Sequence, residues 1–147
     1  MNRRYFLAAA GAAVMTIMAG CDQPESKFAG YWQDAGTNKA AKFPVLLHIR
    51  PNGDSFIVTI TIWEGPFGRG YEAKEFPATR GTSSDELKVS NTPLAFTYDA
   101  ATDLLLVAGD KSRIERISKE DYQAALDSGK AEYERRKARK KEAQKAK

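Results

Sequence analysis

One cysteine and one histidine, Cys21 and His48, stand in a chain of 147 residues. A nucleophilic triad would need His48 as its base, yet no Gly-x-Ser-x-Gly turn offers a strained serine. A zinc site would have to combine His48 with carboxylates alone, a weak donor set for that metal. Asp85 and Glu86 are neighbours in sequence, so on a strand they point to opposite faces and cannot share a proton. The run Gly65-Pro66-Phe67-Gly68-Arg69-Gly70 lacks the spacing and the lysine of a phosphate loop. These residues argue against an enzyme, and they call for no cofactor or metal. His48 reads as a strand histidine that faces solvent or a polar cluster. Two kinds of chemistry are left. One is alkylation of the Cys21 thiol. The other is contact with a ligand or partner, with Phe67 as apolar anchor, Arg69 as charge and Trp63 at a rim.

The setting of Cys21 favours the first. Arg3 and Arg4 precede an apolar run from Tyr5 to Ala19. That run is shorter than the roughly 20 residues a membrane-spanning helix needs, and it has the charged start and apolar middle of a secretory signal. Met18-Ala19-Gly20-Cys21 resembles the lipobox of bacterial lipoproteins. The resemblance implies a diacylglyceryl group on the cysteine thiol, cleavage before Cys21 and palmitate-like chains holding the new N-terminus to a membrane. Each buried CH2 contributes about 0.8 kcal/mol, so two or three chains give lasting attachment. Asp22 follows directly, which in such lipoproteins implies the periplasmic face of the inner membrane. Asn2-Arg3-Arg4-Tyr5-Phe6-Leu7 is similar to a twin-arginine export signal. Two arginines also suffice for the general route, and both remain open.

Residues 1–20 are thus expected to leave as a signal peptide, with 21–27 as a lipidated tether, 28–117 as one domain and 118–147 as a helix and basic tail. No cysteine follows Cys21, so the mature domain can form no internal disulfide. The net charge of +4 hides a division. From Cys21 to Gly129 there are 12 Lys and Arg against 16 Asp and Glu, whereas Lys130 to Lys147 holds 9 against 3. A mildly acidic domain carries a strongly basic tail.

Short strands and turn signals fill residues 28–117. Val45, Leu47 and Ile49 alternate with Leu46, His48 and Arg50. Phe56, Val58, Ile60 and Ile62 share one face of the next run, and Ile57, Thr59, Thr61 and Trp63 share the other. Period-two alternation of this kind marks a hairpin, with a turn in Pro51-Asn52-Gly53-Asp54. Further strands are expected at 30–34, 71–80, 86–90, 93–99, 104–109 and 112–117. Pro77 places its strand at an edge or at its end. The pattern predicts an all-β fold, a small antiparallel meander or barrel of about eight short strands. Eight strands can be filled by side chains or hold one small ligand.

Phe28-Ala29-Gly30-Tyr31-Trp32 looks like the opening Gly-x-Trp of lipocalin-like barrels. In that family the tryptophan closes the barrel bottom and an arginine near the last strand packs over it. The resemblance gives Trp32 the first role and either Arg113 or Arg116 the second.

Ser118 to Asp121 is similar to a capping box, and Tyr122 and Leu126 lie four apart on one helical face. A short helix is expected there, docked on the barrel. Beyond Gly129 the only large apolar residue is Tyr133, so the tail is either a solvated helix or frayed. Its charge suits anionic lipid headgroups, and no nucleic acid is expected. Together these features describe a membrane-anchored envelope lipoprotein, a non-enzymatic binding or interaction module for an envelope protein or a small apolar ligand. The alternatives are an inhibitor of an envelope-degrading enzyme such as lysozyme, or an accessory subunit of an envelope complex.

Overall fold

A computed structural model describes residues 27–36, 43–64 and 70–146. The signal peptide, Cys21 and residues 22–26 of the tether lie outside the described residues, as do Phe67 and Arg69 of the expected contact loop.

Eight antiparallel strands form a closed barrel in sequence order: β1 (Gly30–Asp34), β2 (Leu46–Asn52), β3 (Ser55–Trp63), β4 (Tyr71–Arg80), β5 (Glu86–Val89), β6 (Ala95–Asp99), β7 (Leu104–Val107) and β8 (Arg113–Ile117). Each strand pairs with the next, and β8 returns to β1 with Trp32 opposite Arg116. The alternation in β2 and β3 holds as read. Leu47, Ile49, Phe56 and Val58 belong to the buried interior, with Ile60 packed against it. The turn lies one residue later than the sequence suggests. Pro51 and Asn52 remain in β2 opposite Phe56 and Ser55, and Gly53 takes the left-handed conformation at φ +60°.

One end of the barrel is filled. Phe28, Trp32 and Phe56 are fully buried there, and the edge of the Phe28 ring meets Phe56 with centroids 5.7 Å apart. The Trp32 indole N–H donates to the Phe28 carbonyl at 2.9 Å, so the large ring is buried without losing a hydrogen bond.

Strand β4 is only partly enclosed. Its residues Tyr71 to Ala78 pair with β3, from Trp63↔Tyr71 to Phe56↔Ala78. Its pairing with β5 covers only Ala78, Thr79 and Arg80. Closure is therefore complete at the filled end, and a slot runs beside the upper part of β4.

A single helix, α1 (Lys119–Lys145), follows β8. Its cap is the one expected: the Ser118 side chain accepts from the Asp121 amide at 3.0 Å. Its length is not. The helix runs through Gly129 for 27 residues, about 40 Å at 1.5 Å per residue. Ala, Glu, Lys and Arg dominate its second half and favour helix intrinsically. Glu132 pairs with Arg135 and Arg136 at i,i+3 and i,i+4 spacing. The helix begins at the filled end and climbs the outer wall from β1 toward β4. Among the described residues, no helix is long and apolar enough to cross a membrane.

Candidate functional site

The opposite end of the barrel is open. There the inward positions of β2, β3, β6, β7 and β8 converge on a cavity of about 270 Å³. Val45, Leu47, Ile60, Phe96, Val107 and Ile114 line it, with Asp34 and Ser112 as its polar members. A smaller space of about 180 Å³ adjoins it along Ile60, Ile62 and Phe76, beneath the inward-facing Glu72 and Lys74 of β4. Ile62 is half exposed and sits between the two spaces. The cavity follows from strand length. Four-residue strands β5 and β7 cannot carry their side chains as high as the nine- and ten-residue β3 and β4.

The filled end is sealed by a polar clamp. The Arg116 guanidinium lies over the Trp32 ring, 4.1 Å from its centre. It donates to the carbonyls of Ala29 at 2.7 Å and Lys27 at 2.8 Å, and to the Asp103 carboxylate at 2.9 Å. The Tyr98 hydroxyl also donates to Asp103. The hydrogen bond from Arg116 is the main reason the Asp103 carboxyl is held below its usual range. Gly30 makes this possible. It has φ +133°, and a Cβ there would stand 2.9 Å from an Arg116 nitrogen. Of the two arginines the lipocalin-like pattern allows, Arg116 faces inward with Ile114, whereas Arg113 faces out. The clamp also fixes the point where the N-terminal segment enters the barrel.

No protein-family model, characterised protein or solved structure matches the chain.

The outer wall carries a second cluster. Tyr31 stacks on His48 with centroids 4.2 Å apart and planes 10° from parallel. Tyr122 of α1 leans over both, and its hydroxyl lies 3.4 Å from that of Thr61. His48 thus sits under the helix rather than facing solvent. Burial first, and then the nearby Arg50 charge, lower its pKa. Higher on the wall, Gly129 admits the Tyr71 ring, since a Cβ there would lie 2.3 Å from it. The Tyr71 hydroxyl donates to the Pro44 carbonyl at 3.0 Å, and burial pushes its pKa up to about 12.

Of the expected contact residues, the structure describes Trp63 alone. It stacks on Phe43 at 4.2 Å, meets Tyr71 edge-on and lies beneath Arg136 of α1. Its surroundings are those of a packing residue between wall and helix. Alternation identifies inward positions, but only relative strand length tells which of them are left uncovered.

Proposed function

We propose that this protein is a non-enzymatic binding module that holds a small apolar ligand in the open half of its barrel. The apolar cavity beside Ile60 and Val107 carries this reading. An apolar cavity of about 150 Å³ admits benzene, and drug-sized ligands occupy about 300 Å³ or more. Scaling from benzene, the main cavity suits about ten heavy atoms. Asp34 and Ser112 lie where a hydroxyl or amine at one end of such a ligand would find a partner. The long apolar wall and the sparse polar groups suit retention rather than chemistry.

A homologous series of straight-chain alcohols tests this by calorimetry. Affinity should rise about fourfold per added CH2 until the chain outgrows the cavity near ten carbons. Val107→Phe and Ile60→Phe fill the space and should abolish binding. Absence of saturable binding across the series, or binding indifferent to both fillers, overturns the reading.

We place the module at the periplasmic face of the inner membrane, anchored through acylated Cys21. The first described residue, Lys27, lies at the filled end, where Arg116 and Asp85 hold it. It lies six positions beyond Cys21, a reach of about 20 Å at most. An anchored domain would therefore turn its cavity mouth away from its own bilayer when upright. If it lay on its α1 flank, the basic end of the helix would meet headgroups, at about 1 kcal/mol per basic residue on an anionic surface. Mass spectrometry of protein from its native cells tests the anchor. A diacylated or triacylated Cys21 at the N-terminus supports it, and an unmodified thiol overturns it.

A further inference from the structure

Among the described residues, the upper edge of β4 is an unpaired strand edge whose side chains form a self-complementary pattern. The hydrogen-bond phase of the ladder shows which backbone groups are free. The Glu64 amide donates to the Gly70 carbonyl, so in the β3–β4 register Glu72, Lys74 and Phe76 turn their N–H and C=O groups toward β3. Tyr71, Ala73, Glu75 and Pro77 turn theirs away. The other side of the strand agrees. The Pro77 carbonyl accepts from the Ser90 amide, and the Gly81 amide donates to Glu86, which gives the same phase. Proline sits where an amide would point outward. Among the described residues, β5 covers the edge only from Pro77 onward, leaving Tyr71, Ala73 and Glu75 with outward N–H and C=O groups. Glu72, Ala73, Lys74 and Glu75 are exposed.

We propose that this edge pairs antiparallel with the same edge of a second copy, about a two-fold axis through Ala73. That register sets Ala73 against Ala73 of the partner subunit as a hydrogen-bonded pair, with Tyr71 opposite Glu75 on either side. All three free N–H groups and all three free C=O groups of each edge then find partners. It also sets Glu72 directly opposite Lys74, twice, at the non-hydrogen-bonded positions where cross-strand side chains come closest. Exposed edges commonly carry charges and proline that discourage pairing. Here the charges penalise other registers and favour this one. Shifting the pairing centre to Lys74 would oppose lysine to lysine, and shifting it to Glu72 would oppose glutamate to glutamate. The ends fit as well. The paired segment stops where β5 of each copy begins to occupy its own edge, so neither β5 strand is displaced. The added strand lies along the slot, next to the smaller of the two apolar spaces. The pairing does not depend on the cavity holding a ligand.

All ladder pairs and buried core residues lie within residues 28–122, so a chain starting at Asp22 keeps the whole described fold. Sedimentation equilibrium of that chain, from micromolar to millimolar concentration, should show a monomer–dimer equilibrium that weakens with salt. Lys74→Glu and Glu72→Lys should each raise the dissociation constant about tenfold or more, because each turns two attractive pairs into repulsive ones. The double charge swap should restore the wild-type value. Ala73→Pro removes an amide that no bond among the described residues uses, and should give a monomer with unchanged circular dichroism. A monomer throughout the series overturns the proposal. So does a dimer indifferent to these variants, or one that the double swap fails to rescue. Alcohol binding by a monomer would leave the cavity reading standing while the edge pairing fell.

Discussion

Arg116 covers Trp32 across the seam between the first and last strands, with the guanidinium 4.1 Å from the ring centre. The two residues are directly opposite in register, so the contact that seals the filled end also closes the barrel. Arg116→Ala would lose the ring contact and leave the carbonyls of Lys27 and Ala29 without their donor. The expected cost is about 2–4 kcal/mol, read as a lower urea midpoint. Arg116→Lys should recover little of it, because one ammonium cannot reach Asp103 and both carbonyls from over the ring.

At Gly129 two effects of opposite sign compete. Gly→Ala in an exposed helix gains about 1 kcal/mol. Here the new Cβ would stand 2.3 Å from a ring held by Trp63 and by its bond to Pro44. Overpacking of that kind costs about 1–3 kcal/mol. Gly129→Ala should therefore be net destabilising and should expose α1 to limited proteolysis. In a Tyr71→Ala background the same substitution should become neutral or stabilising.

The pH dependence near neutrality should come from His48. Its pKa in the fold is lowered, so the unfolded chain binds more protons as pH falls. The stability this group contributes is complete above its ordinary value near 6.5 and is lost as pH drops toward the lowered value. Arg50 and Lys119 beside it act in the same sense, and Glu75 opposes them. His48→Phe keeps a ring against Tyr31 and should flatten the change in urea midpoint between pH 7.5 and 5.5.

Tyr71 and Tyr98 both act on the alkaline limb, since burial raises the pKa of each, and Tyr71 carries the larger effect. Its folded pKa of about 12 exceeds the unfolded value of about 10. The stability it contributes is therefore present below about pH 10 and lost as pH rises toward 12. Ultraviolet titration should show one tyrosine ionising near 12, and Tyr71→Phe should remove that step.

Much of the wall was legible because burial imposes a period of two. Val45 to Ile49 and Phe56 to Ile62 declare their inward faces directly. The choice between Arg113 and Arg116 is a matter of parity, and sequence cannot phase a short strand without its neighbours. A glycine after a capped helix ordinarily signals its end, yet α1 runs through Gly129. Glycine stands there because the Tyr71 ring, more than fifty positions away, leaves no room for a Cβ. Trp63 is an outward strand residue next to a glycine-rich segment, a pattern that gives no hint that a helix residue, Arg136, will lie over it. The cavity and the free β4 edge both come from unequal strand lengths, which depend on where ladders stop.

The seam has a temporal consequence. Tyr31 and Ile117 are partners in the β1–β8 ladder, so the ring cannot shut until nearly the whole domain is available. Contacts of such long sequence separation slow folding, because the intervening loop must be closed before they contribute. A chain threaded unfolded across a membrane from its N-terminus would deliver β1 first and keep it without its final neighbour until β8 emerged. Burial of Trp32 beneath Arg116 should thus be among the last events of maturation, and its fluorescence a clock for when assembly is complete.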